Sequence, residues 1–205
     1  MIESLLPLSK NKMDILTQIY ERQPTHSRKI ALELKIHPYL TKKYIDNLAS
    51  KQILEQQRAG RIILLTINSI QEGIEQVIYL IESYKQATDH KILKNIIKNL
   101  LEHFAQNNAI LSCVLFGSYA RGAATKDSDV DILFVIKNPS AQAIISKKLS
   151  QLGTLMNLNF SPVIMSEEEF HSTLTSQEPT TITLLKPSQR IIISGIEYFI
   201  RATIP

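Results

Sequence analysis

Between Lys10 and Glu21 the apolar residues Met13, Ile15, Leu16, Ile19 and Tyr20 recur near helical spacing. The run stops before Pro24, which predicts a first helix. Ser27 is placed to cap a second, with Ile30, Ala31 and Leu34 turned inward. Pro38 opens a third that reaches about Lys51, with Leu40, Tyr44, Ile45 and Leu48 on one stripe. Ile53 to Gln57 and Arg61 to Thr66 then read as two short strands, with Arg58-Ala59-Gly60 as the turn between them.

Two longer amphipathic stretches follow, Ser69 to Ala87 and His90 to Gln106. Ile70, Ile74, Val77, Ile78 and Ile81 line one; Ile92, Ile96, Ile97, Leu100, Leu101 and Phe104 line the other. Such stripes fit packing against neighbouring domains or a homodimer surface. The pattern then shortens. Apolar runs at Ile110–Phe116, Ile132–Ile136, Leu158–Met165 and Arg190–Ser194 predict strands, with Gly195 turning into a last helix. The fold class expected is α+β: residues 1–67, 68–107 and 108–205 as a helix-and-hairpin domain, a helical connector, and a mixed sheet flanked by helices.

Charge changes this picture. Residues 1–66 carry 11 Lys/Arg against 6 Asp/Glu, while residues 67–205 carry 12 against 13, so the basic excess sits in the first third. That asymmetry suits a polyanion partner, or simply a solvated lysine-rich surface. The single cysteine, Cys113, excludes an internal disulfide and, inside an apolar run, reads as core. The first residues have no long apolar core of a secretion signal, and no run reaches the roughly 18 residues of a membrane helix. A cytoplasmic protein is expected.

The chemistry concentrates at Ala109 to Ile136, AILSCVLFGSYARGAATKDSDVDILFVI. An apolar strand runs into Gly117-Ser118, and Tyr119-Ala120-Arg121 reads as the first turn of a helix. Gly117 lacks a Cβ, so phosphate can approach the backbone; Ser118 at a helix start offers N–H groups, a dipole and a hydroxyl. Asp129 and Asp131 are two apart entering a strand, so their carboxylates share a face and can hold a hard cation such as Mg²⁺. Arg121 is placed either to touch a triphosphate or to pair with Asp127. The five histidines show no metal-ligand spacing.

Two resemblances follow. The order helix, helix, turn, helix, hairpin over residues 9–67 resembles a winged helix-turn-helix domain. That implies double-stranded DNA as partner, read by Thr41, Lys42, Lys43 and Asn47 on the third helix and by Arg58 and Arg61 on the wing. A small helical protein-interaction module fits the same pattern. The string GSYARGAATKDSDVDILF resembles the signature of minimal nucleotidyltransferases of the DNA polymerase beta superfamily. This implies Gly117 and Ser118 on the phosphates of ATP or another NTP, Asp129 and Asp131 as catalytic Mg²⁺ ligands, and release of pyrophosphate. Active members place a third carboxylate on a later strand. Here Asn159 or Ser161 takes that position, and Glu167, Glu168 and Glu169 read as the next helix's first turn.

Two-part proteins of this kind include antitoxins that adenylylate a tyrosine of a small helical toxin. The resemblance therefore implies AMP transfer from ATP to a protein hydroxyl, with autoregulation through DNA. The alternative is a DNA-binding regulator whose nucleotidyltransferase domain is degenerate and senses nucleotide.

Overall fold

The computed structural model describes residues 9–87, 91–175 and 179–203. The chain divides into two compact units between Ile81 and Glu82. The stretch expected to be a connector is thus shared between them.

The first unit holds helices α1 (Lys10–Arg22), α2 (Ser27–Leu34) and α3 (Pro38–Ser50), then strands β1 (Leu54–Ala59) and β2 (Ile62–Ile67). Ile15, Leu16, Ile19, Ile30, Ile45, Leu48, Ile53 and Leu65 are all buried in it. The strands form an antiparallel hairpin. Thr25 forms an isolated antiparallel bridge to β2, exchanging backbone hydrogen bonds with Leu65 (2.7 and 3.2 Å). This is the winged-helix arrangement the pattern predicted.

Several local expectations are corrected. His26, not Ser27, caps α2: its Nδ1 accepts from Lys29 N–H. Ala59 pairs with Ile62, so the turn is Gly60-Arg61, with Gly60 at φ +60°. A two-residue hairpin loop takes glycine at its first position because that backbone is costly for L side chains. Leu40 is 39% exposed, while Thr41 is fully buried beside Ile45 and Leu48. Positions 41, 45 and 48 follow the i, i+4, i+7 rule, so a small Thr displaces the larger Leu from the inner stripe. Ile70 is 88% exposed, because the chain turns at Gly73 (φ +78°) before α4 (Ile74–Gln86) begins.

The second unit takes the end of α4 and then α5 (Lys91–Phe104), β3 (Ile110–Phe116), α6 (Gly117–Ala120), β4 (Val130–Ile136), α7 (Ala141–Met156), β5 (Phe160–Ser166), α8 (Glu167–Thr175), α9 (Pro179–Leu185), β6 (Arg190–Ser194) and α10 (Ile196–Thr203). His90, expected as a helix start, lies outside the described residues, as does the side chain of Ile92. The sheet order is β5-β4-β3-β6. The pairs β3–β4 and β3–β6 are antiparallel and β4–β5 is parallel, joined by α7 as the crossover helix such a pair needs.

Period-two alternation puts Cys113, Leu115, Ile132, Phe134, Ile191 and Ile193 on one face. There they meet Leu93, Ile96, Ile97, Leu100 and Phe104 of α5 and Ile145, Leu149 and Leu152 of α7. The apolar stripe of α5 is therefore core of its own unit, not a free dimer surface. Helices α8 and α10 pack on the other face, where the rings of Phe170 and Phe199 meet at a tilt, their centroids 5.7 Å apart. Burial pushes the Cys113 thiol far above its ordinary range, as befits an inert core residue.

Candidate active site

Strand β3 ends at Phe116, which pairs across the antiparallel ladder with Asp131 of β4. The next residue, Gly117, sits at φ +72° directly over the Asp131 carboxylate. A Cβ at Gly117 would overlap Asp131 Oδ2 and lie 2.9 Å from its Cγ. The left-handed backbone favours glycine here, and a Cβ would in addition force the Asp131 carboxylate to shift.

The helix expected after Gly117 is a single turn. Its dipole is correspondingly short, so an anion placed there would meet local N–H groups and the Ser118 hydroxyl more than a macrodipole. Arg121 closes the turn, its N–H donating to Gly117 O at 3.3 Å, and Ala123 N–H returns to Ser118 O at 2.9 Å. The loop beyond is tied by Thr125 and Ser128, whose backbone and side chains bond one another.

Asp129 and Asp131 flank buried Val130, and the alternation exposed, buried, half-buried confirms that the two acids share a face. Burial, then the charge of Asp129, raise the Asp131 carboxyl above the ordinary range; the Arg121 guanidinium opposes them. No ion pair joins Arg121 to Asp127 among the described residues. Two neighbouring carboxylates, only partly offset by Arg121, offer hard oxygen donors that fit a divalent cation. Mg²⁺ is commonly held by one or two carboxylates, with water and substrate phosphates completing its shell. Among the described residues no group of three His, Cys, Asp or Glu stands together to hold a metal alone.

The register settles what faces Asp131 from β5: it is Ser161. Asn159 accepts Val130 N–H at 2.8 Å through its backbone carbonyl. Neither supplies a carboxylate. Glu169 is structural: its carboxylate accepts Ser166 N–H at 2.7 Å, and Ser166 Oγ accepts Glu169 N–H at 3.2 Å. This reciprocal box caps α8 and holds the Glu169 carboxyl below the ordinary range.

Sequence patterning missed a buried ionic cluster in this unit. Arg190 pairs with Phe116 on the side away from Asp131, so the three residues form one cross-strand row. Arg190 Nη2 donates to Glu82 Oε1 at 3.1 Å, and Lys85 Nζ lies 3.1 Å from Glu82 Oε2. Arg190 Nη1 also donates to Leu184 O at 2.8 Å, and Lys85 Nζ to Arg190 O at 3.1 Å. Glu82 and Lys85 are three apart on a helix, a spacing that in sequence looks like an exposed surface pair.

Of the residues expected on DNA, Lys42, Lys43, Asn47, Arg58 and Arg61 are exposed on α3 and the wing. Thr41 is not among them. It is fully buried, and its hydroxyl donates to His37 O at 3.3 Å, so it cannot meet a base. Tyr39, 69% exposed at the start of α3, was not anticipated on that outer surface.

Comparison with known proteins agrees with the geometry of the second unit. The nucleotidyltransferase domain family matches residues 94–195. A Methanocaldococcus jannaschii protein bearing the name "Putative protein adenylyltransferase" is 34% identical over 88 residues. The match takes in 40% of this chain and 60% of that relative's length. Among solved structures, Lactococcus lactis ZitR is similar at 19% identity and a TM-score of 0.34, over 75% of this chain and 86% of that one. Thermotoga maritima transcriptional regulator Tm0710 is similar at 16% identity and 0.35, over 78% and 85%. Likeness of that size carries no argument about fold or function. No described helix is long and apolar enough to cross a membrane. The Gly117-Ser118 turn seated against the Asp129–Asp131 segment lies within residues 94–195, the stretch of this chain that matches the nucleotidyltransferase domain family.

Proposed function

We propose that the protein transfers AMP from ATP to a protein hydroxyl, on a toxin-like helical partner, and regulates its own expression through DNA bound by the first unit. The observation that supports the transferase reading is the close approach of Gly117 to Asp131, which sets the turn that would hold phosphate beside a carboxylate that would hold metal. Gly117 and Ser118 would hold the β- and γ-phosphates, with Arg121 supplying positive charge beside them. Asp129 and Asp131 would hold Mg²⁺, which when bound neutralises charge on the phosphates and orients the α-phosphate. With Ser161 beside Asp131, β5 offers no carboxylate there to take the proton of the attacking group. A phenol, whose pKa is about 10, ionises far more readily than an alkyl hydroxyl and fits a site without a strong base.

The same absence favours a second reading, a DNA-binding regulator in which the site senses nucleotide without turnover. Incubation of the protein with α-phosphate-labelled ATP, Mg²⁺ and lysate of the source cell separates the two. Label on a macromolecule with the wild type, and none with Asp129→Asn/Asp131→Asn, is the transferase outcome. Aspartate-dependent ATP binding without any label is the regulator outcome.

A further inference from the structure

The Gly117–Ala120 turn has a second neighbour besides Asp131: it packs against the 3₁₀ turn Pro187–Gln189 and the start of β6. We infer that the buried cluster Glu82–Lys85–Arg190 positions this second neighbour, and through it the turn that would hold phosphate. The three are thus positioning residues for the nucleotide. The inference rests on nucleotide binding at Gly117-Ser118, which both readings above share, and adds what keeps that turn in place.

The hydrogen bonds of the cluster run to one short stretch of backbone. Lys85 Nζ donates to Pro187 O at 2.6 Å and to Arg190 O at 3.1 Å. Arg190 Nη1 donates to Leu184 O at 2.8 Å and to Leu185 O at 2.6 Å. Leu184 and Leu185 end α9, where the last carbonyls have no partner inside the helix. Glu82 holds both cations at 3.1 Å, one on each carboxylate oxygen. The Arg190 guanidinium also lies 5.0 Å from the centroid of the Phe199 ring. Two side chains therefore fix the carbonyls on both sides of the 3₁₀ turn.

A helix of one turn does not hold its own shape, because ordering its first residues costs more than one hydrogen bond returns. Gly117–Ala120 therefore depends on its flanks, β4 with Asp131 on one and residues 187–190 on the other. Asp131, Phe116 and Arg190 are direct cross-strand partners, so a shift at the start of β6 passes to the strand end that delivers Gly117. Stability by itself does not call for such a cluster. Apolar side chains of like volume commonly replace buried ionic groups without loss. What they do not supply is a set of directed donors that fixes where a backbone segment lies.

Mg-ATP titration of the full chain tests this with Glu82→Leu/Lys85→Met/Arg190→Met, which makes the cluster apolar, and with Lys85→Met, which removes the donors to Pro187 and Arg190. Leu149→Ala is the control, loosening the core on the opposite sheet face with the cluster intact. Expected is a Kd raised at least about tenfold in both cluster variants while they remain folded by circular dichroism, and unchanged in the control. An unchanged Kd in the folded cluster variants overturns the positioning role. An equal rise in Leu149→Ala overturns it too, since general loosening would then suffice. Hydrogen exchange on the wild type needs no variant: Mg-ATP should slow exchange at Ser188 and Gln189 together with residues 118–121. Protection confined to residues 118–121 overturns the link between the two turns. Wild type that binds no Mg-ATP overturns the nucleotide reading, and the positioning role with it.

Discussion

Gly117 and Asp131 stand so close that a methyl group does not fit between them. Gly117→Ala meets both that overlap and a left-handed backbone at φ +72°, whereas Gly122→Ala meets only the backbone term, at φ +67° with open space around it. We expect Gly122→Ala to cost about 1 kcal/mol, and Gly117→Ala to cost more and to abolish ATP binding. Denaturant midpoints and an ATP titration check both. Equal midpoints would mean that Asp131 yields freely.

Asp129→Asn/Asp131→Asn removes a like-charge repulsion that burial strengthens. Transfer and Mg-dependent ATP binding should be lost while the melting temperature holds or rises. A fall in melting temperature would assign the pair a structural role.

Lys42→Ala/Lys43→Ala should weaken DNA binding by the first unit and shallow its salt dependence by about two in log–log slope, near 0.9 per phosphate contact. Thr41→Val, inside the core, should leave affinity and slope alone. A slope unchanged by the lysine variant would remove α3 from the DNA interface.

Glu82 is fully buried between two cations. Glu82→Ala leaves both without their carboxylate and should destabilise the second unit by about 3–5 kcal/mol, read from chemical denaturation. A loss under about 1 kcal/mol would mean that water replaces the carboxylate.

The Glu169 carboxyl is depressed in the folded protein by the Ser166 N–H. Its contribution is therefore complete above the unfolded value of about 4.3 and lost as pH falls through the lower folded value. Glu169→Gln should narrow its stability gap to wild type as pH drops below that range. A gap independent of pH would show that the cap acts through shape alone.

By itself the sequence determined the order of helices and hairpin in the first unit, the strands of the second, the mixed α+β class and the Gly117-Ser118 and Asp129-x-Asp131 pairs, because these are local: period two puts alternate acids on one face, and glycine marks a strand's end. The same locality let Glu169 be read as a helix start. What only tertiary structure decided depends on partners distant in the chain. Thr41 and Leu40 are neighbours on α3, and which faces inward follows from the packing of α1 and β1 against that helix. Glu82 and Lys85 carry the spacing of a surface pair and become a buried cluster because Arg190, more than a hundred residues away, is brought to them by β6. Ser161 stands beside Asp131 because the parallel crossover through α7 returns the chain as β5. Patterning along a chain gives the faces of elements; register and crossing give their neighbours.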